Sequence, residues 1–69
     1  MVKLTEADWP LLIERFIYYL EKDHLRAGQA YMNALGDINA ELYKELLGTE
    51  HDCFYDDELI INFLRRLNE

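Results

Sequence analysis

The 69-residue chain has one cysteine, one proline and three glycines, half as many basic as acidic residues, and no long apolar run. Each shortage excludes something. With Cys53 alone there is no internal disulfide framework, and a reducing, cytoplasmic setting is expected. No run approaches the roughly 20 apolar residues of a membrane span, and Met1-Val-Lys-Leu-Thr-Glu6 lacks the apolar core of a signal peptide. Three glycines at Gly28, Gly36 and Gly48 form no phosphate-cradling loop. Seven Lys and Arg against fourteen Asp and Glu speak against direct nucleic-acid binding, because phosphate contacts need clustered cations.

Hydrophobic residues make up 51% of the chain, including five Tyr, three Phe and one Trp, far too many for a disordered tail. A chain this short buries only about 60% of its unfolded surface, so some apolar area is left exposed or covered in an oligomer. The expected fold is all-α: a single domain over 1–69, with four helices, short turns and one longer loop near residues 49–55.

Helical spacing places Trp9, Leu12, Ile13, Phe16, Ile17 and Leu20 on one apolar face, with Tyr19 at its edge, in a helix ending near Lys22. Asp8 is its expected cap, because that puts Pro10 in the first turn, where a missing N–H has no cost. Asp23 is the expected cap of the next helix and Gly36 its stop. In that second helix Leu25, Ala27, Gly28, Ala30, Tyr31, Met32, Ala34 and Leu35 occupy most of the wheel, so it has neighbours on more than one side. Only Arg26, Gln29 and Asn33 form a polar stripe. Their structural reading, solvation or pairing of Arg26 with Glu21 or an acid in the 50s, is preferred to ligand or partner binding.

Asp37 or Asn39 starts a third, short helix through Ala40, Leu42, Tyr43, Leu46 and Leu47, closed by Gly48. Asp56 caps the last, with Asp57 and Glu58 at its positive end, and Tyr55 and Ile60 form a hydrophobic staple. Phe54 and Tyr55 call for apolar surroundings, so the 49–55 loop is expected to be structured. The last helix buries Ile60, Phe63, Leu64 and Leu67, while Leu59 and Ile61 widen its apolar arc to roughly 200°. Leu11 and Tyr18 fall on the far side of the first helix. With Leu59 and Ile61 they are the candidates for self-association, and a homodimer is the expected state.

The loop collects five possible metal ligands: His51, Asp52, Cys53, Asp56 and Asp57. Adjacent residues point apart, zinc-type spacing is missing, and the alternating acids and central glycine of a calcium loop are absent. Capping and solvation are the preferred roles, and no metal or cofactor is expected. Cys53 and His51, two residues apart with no third orienting group, make no nucleophile–base pair. No enzyme is expected.

The charge is concentrated. Residues 37–58 hold Asp37, Glu41, Glu45, Glu50, Asp52, Asp56, Asp57 and Glu58 against Lys44 alone, a balance of −7 that equals the net charge of the chain. Such a segment is either a solvated face or a surface that steers a basic partner.

The pattern Arg26-x-Gly28-Gln29-Ala30-x-x-Asn33-x-Leu35, followed by Leu42-Tyr43, Thr49, Asp52-x-Phe54-Tyr55-x-Asp57 and Phe63-Leu64, resembles a group of short uncharacterised proteins found mainly in tailed phages and prophages. The likeness covers about residues 16–67 and carries no assigned site residues. It implies a small accessory protein that binds and redirects a host protein. Joined to the charge pattern, it makes the acidic 37–58 region, set against a basic host surface, the leading expectation for function. The alternative is a self-associating protein whose acids only keep it soluble.

Overall fold

A computed structural model describes residues 3–69; Met1 and Val2, part of the N-terminal stretch considered above, lie outside the described residues. The order is α1 (Asp8–Lys22), α2 (Ala27–Ile38), α3 (Ala40–Leu46), a 3₁₀ turn Asp57–Leu59, and α4 (Ile60–Leu67). The described residues contain four α-helices and no strand, so the domain is all-α.

The second helix is the central element, packing on α1, α3 and the 3₁₀ turn. Its buried Gly28, Ala30, Met32, Ala34 and Leu35 alternate small and large side chains, so neighbours approach closely on several sides. Leu12, Leu42, Leu46, Phe63 and Leu67 close the core from the other helices. The Phe16 ring of α1 stacks on Tyr31 of α2 at 3.9 Å, and Tyr31 reaches Phe63 of α4 at 5.4 Å. Three helices are thus joined by one aromatic column.

At the far end of α1, Asp37 accepts from Arg15 Nη2 (2.8 Å), Arg15 Nε (3.1 Å) and the Tyr19 hydroxyl (2.6 Å). Partial burial pushes the Asp37 carboxyl upward, but the bonds from Tyr19 and Arg15 together outweigh it and hold it below its ordinary value. Asp37 occupies the last turn of α2, where the helix dipole disfavours an anion. Arg15 offsets that placement and ties α1 to α2.

Several boundaries depart from expectation for identifiable reasons. Asp8 does not cap α1 but opens it. Its carboxylate accepts from the Thr5 N–H (3.0 Å) while its own N–H donates to the Thr5 carbonyl (3.0 Å), which starts the turn at Thr5 and leaves Pro10 within the first helical turn. Asp23 is the C-cap of α1 rather than the cap of α2. After it, His24 adopts a left-handed conformation (φ 56°). The N-cap of α2 is instead Arg26, whose N–H donates to Gln29 Oε1 (3.2 Å) in the return half of a capping box.

Gly36 does not end α2, which runs on to Ile38; its bare Cα lies against the Tyr43 ring. The stop comes at Asn39, whose side chain accepts from the Leu42 N–H (3.1 Å) and starts α3. Gly48 closes α3 at φ 77°, a conformation that costs other residues about 1–2 kcal/mol. Ile13 and Ile17, assigned by spacing to the core face, are 41% and 45% exposed. Leu59, assigned to the surface, instead packs against the core.

Candidate functional site

The residues that stand out in the sequence converge where the 52–57 loop docks on the N-terminus of α2. Small size makes the docking possible: a Cβ on Gly28 would collide with the Cys53 carbonyl oxygen and lie 2.7 Å from Asp57 Oδ1. With hydrogen there, the Gly28 N–H donates to Asp57 Oδ1 at 2.9 Å. A distant carboxylate thereby takes the anion-binding position that a helix N-terminus provides.

Arg26 closes the junction from outside. Its Nη2 donates to the Phe54 carbonyl at 2.8 Å, and its Nε lies 3.8 Å from Asp57 Oδ1. Beneath it, Cys53 is fully buried with its Sγ 3.5 Å from the Gly28 carbonyl. Burial is the main cause that pushes this thiol up to about 12, so it stays neutral and unreactive at physiological pH.

Three aspartates shape the loop. Asp52 accepts from the Gly48 N–H through Oδ2 (2.8 Å) and from the Phe54 N–H through Oδ1 (3.0 Å). Asp56 Oδ1 accepts from the Glu58 N–H (2.9 Å), and the Asp56 N–H closes a turn onto the Cys53 carbonyl (3.3 Å). Phe54 and Tyr55 are the two central residues of that turn. Only one of the two rings reaches the core: Phe54 packs against it, and Tyr55, 86% exposed, rests edge-to-face on the Phe54 ring at 4.8 Å. The expected Tyr55–Ile60 staple is therefore not formed. A large aromatic ring projects from a turn held on both flanks by polar contacts, and Asp56, Asp57 and Glu58 follow it directly in the chain.

Most of the acidic third is engaged internally. Asp37 is held by Arg15, Asp57 by Arg26, and Glu45 by Arg66 Nη2 (3.4 Å). Counting these three arginines against the segment lowers its balance from −7 to −4. Asp52 and Asp56 serve backbone N–H groups, and Glu50 lies 3.8 Å from His51 Nε2. Glu41 and Glu58 are the two of the eight with no side-chain hydrogen bond or ion pair among the described residues. The polar stripe divides similarly: Arg26 and Gln29 hold the α2 entrance, and Asn33, one turn further along, takes no part in the junction. Metal chemistry finds no assembled ligand set among the described residues, where no three His, Cys, Asp or Glu side chains group suitably.

The earlier candidates for self-association also separate. Leu11 and Tyr18 are exposed, but the Arg15 guanidinium lies 4.8 Å over the Tyr18 ring. Ile61 is 58% exposed and borders a shallow groove of about 360 Å³ with Trp9, Leu64, Arg65 and Asn68. A second, polar cleft of about 290 Å³ lies among Glu50, His51, Asn62, Arg65, Arg66 and Glu69. No described helix is long and apolar enough to cross a membrane.

Sequence reasoning passed over Tyr55 as a surface group because it treated both aromatics of the loop as core. The available signal was their adjacency between two capping aspartates, which turns one ring in and the other out. No family model, curated protein or solved structure matches this chain.

Proposed function

We propose that this protein works as a small protein-binding module of the phage and prophage accessory type, presenting Tyr55 on the 53–56 turn, within an acidic rim, to a partner with a basic surface. The observation that carries the proposal is the 86% exposure of Tyr55 on a turn pinned by Asp52, Asp56 and Arg26. A rigid mount lowers the ordering cost of binding, and exposed tyrosines are favoured interface anchors. Asp56 and Glu58, both exposed beside the turn and paired with no cation among the described residues, supply electrostatic steering, which acts mainly on association rate and partner choice. The likeness to short phage proteins runs through the same residues, Arg26, Gly28, Gln29, Asp52, Phe54, Tyr55 and Asp57, and supplies the biological setting: a host protein as partner, in the cytoplasm, without catalysis.

The test is affinity capture from bacterial lysate with wild type, Tyr55→Ala, and an Asp56→Asn/Glu58→Gln double variant. Wild type should retain a defined partner at low salt. Tyr55→Ala should weaken that binding by about 2 kcal/mol, roughly thirtyfold, with unchanged thermal stability, and the acid-neutralised variant should mainly slow association. Equal recovery with all three proteins, or none with wild type at low and moderate salt alike, refutes the proposal.

A further inference from the structure

The four arginines of the chain are used unequally. Arg15, Arg26 and Arg66 each neutralise an acid from a distant part of the chain, whereas Arg65 makes no side-chain hydrogen bond or ion pair among the described residues. Arg65 borders both the apolar groove and the polar cleft of about 290 Å³. Asn62, Arg65 and Arg66, at i, i+3 and i+4, share the face of α4 that forms one wall of that cleft, and Glu69 follows just beyond the helix end. Glu50 and His51 line it from the turn after α3. That turn is fixed by the Thr49 hydroxyl, which accepts from the His51 N–H (3.2 Å) and donates to the Leu46 carbonyl (2.6 Å).

Both signs of charge reach this space without cancelling each other. Arg66, its side chain only 9% exposed, is committed to Glu45 at 3.4 Å. Arg65 and Glu69 stand four residues apart, the spacing of a helix-surface ion pair, yet form none, and the one cationic partner of Glu50 is His51 Nε2 at 3.8 Å. The Asn62 amide makes no hydrogen bond among the described residues. A simple anion entering the cleft would meet the carboxylates of Glu50 and Glu69, and a simple cation would meet Arg65, so each alone is opposed. All six lining residues are polar, and the volume lies just below the roughly 300–1,000 Å³ of ordinary small-molecule pockets. The occupant that satisfies these walls is small, polar and carries both charges.

We infer that the cleft between α4 and the 49–51 turn binds a small zwitterion of the free amino acid class, with a short or polar side chain. The carboxylate goes to the Arg65 guanidinium, whose planar fork suits it, and to the Asn62 amide. The ammonium goes to Glu50 and Glu69. Buried Arg66, held by Glu45, supplies a fixed wall. In a free amino acid the two charges are separated by a single carbon, so both fall within one cleft of this size; capping either group removes one half of the recognition.

Titration of the isotope-labelled full chain, followed by heteronuclear NMR at moderate salt, tests this. The probes are L-serine, L-glutamine and L-lysine, with inorganic phosphate and methylamine as single-charge controls and N-acetyl-L-serine amide as the capped form. At least one of the three amino acids should give saturable shifts at His51, Asn62 and Arg65, with a Kd of about 1 mM or tighter, and the capped form should give none. Arg65→Gln and Glu50→Gln should each weaken that binding at least about tenfold and keep the helical circular dichroism, since both side chains are exposed. The inference is overturned if none of the three amino acids gives saturable shifts there, or if phosphate or methylamine binds as tightly as they do. Binding undiminished in either variant overturns it as well. Tyr55→Ala should bind as wild type does, which separates this outcome from that of the Tyr55 surface.

Discussion

Replacing Gly28 by alanine tests the junction between α2 and the 52–57 loop most directly, because helix propensity and tertiary packing predict opposite signs. By propensity alone, exchanging a helical glycine for alanine stabilises by up to about 1 kcal/mol. In the folded chain the added methyl collides with the Cys53 carbonyl and presses on Asp57 Oδ1. The first contact is backbone, which cannot swing aside as a side chain end can, so the loop must shift. Overpacking of this kind costs about 1–3 kcal/mol. The shift also lengthens the charge-assisted bond from the Gly28 N–H to Asp57, worth about 1 kcal/mol once its partial solvent exposure is allowed for. The net expectation is a loss of about 2 kcal/mol, which for a domain of this size lowers Tm by about 8–16 °C. Gly36 is the internal control. Its added methyl would meet only the Tyr43 ring at 3.4–3.7 Å, ordinary contact, so Gly36→Ala should raise stability by about 0.5–1 kcal/mol. Thermal unfolding followed by circular dichroism reads both. If Gly28→Ala is as stable as wild type or more so, the loop is not seated on α2 as described.

Gly48→Ala should cost about 1–2 kcal/mol in denaturant unfolding, because the backbone at φ 77° is unfavourable for a residue with a Cβ even though open space surrounds it. Asp37→Asn should destabilise at neutral pH, and its Tm deficit should shrink on acidification. The wild-type carboxyl is held below its ordinary value of 3.8, so its contribution is complete above that value and is lost as pH falls through the lower folded one; a deficit that does not change with pH would refute the Arg15–Asp37–Tyr19 assignment. Cys53, raised to about 12 by burial, should react with a thiol reagent only as fast as the protein opens. Denaturant should accelerate the reaction in step with unfolding, and rapid labelling of native protein would contradict its burial.

Much of the fold is legible residue by residue. Asn39 caps α3 as a side chain of its type should, Asp56, expected to cap the last helix, caps the 3₁₀ turn that leads into α4, Gly48 closes α3, and the dense apolar wheel of α2 leads to its central position. The misplacements share a cause. Asp8, Asp23 and Gly36 are each a plausible boundary residue, and local chemistry offers two or more such residues near each helix end. The choice among them depends on which nearby contacts form: Asp8 turned back to the Thr5 N–H, Gln29 reaching back to Arg26, and the Tyr43 ring packed on Gly36. The candidate site was legible in part. Its residues were visible as a pattern, and a pairing of Arg26 with an acid of the 50s loop was among the expectations. The closing of Gly28 onto Cys53 joins positions 25 residues apart and has no local signature.

The order and periodicity of apolar residues by themselves determined an all-α chain of four helices with a small, aromatic-rich core and a concentrated acidic third, because helix formation and burial follow from spacing and composition. Which apolar residues remain outside was decided by packing. A wheel cannot tell that Ile13 and Ile17 lie beyond the reach of α2, or that Leu59 turns inward. Tertiary structure also decided what the acids do, bringing Arg15, Arg26 and Arg66 against Asp37, Asp57 and Glu45 from remote parts of the chain. And it alone separated Phe54 from Tyr55, since a turn closed between Cys53 and Asp56 can send only one of two neighbouring rings into the core.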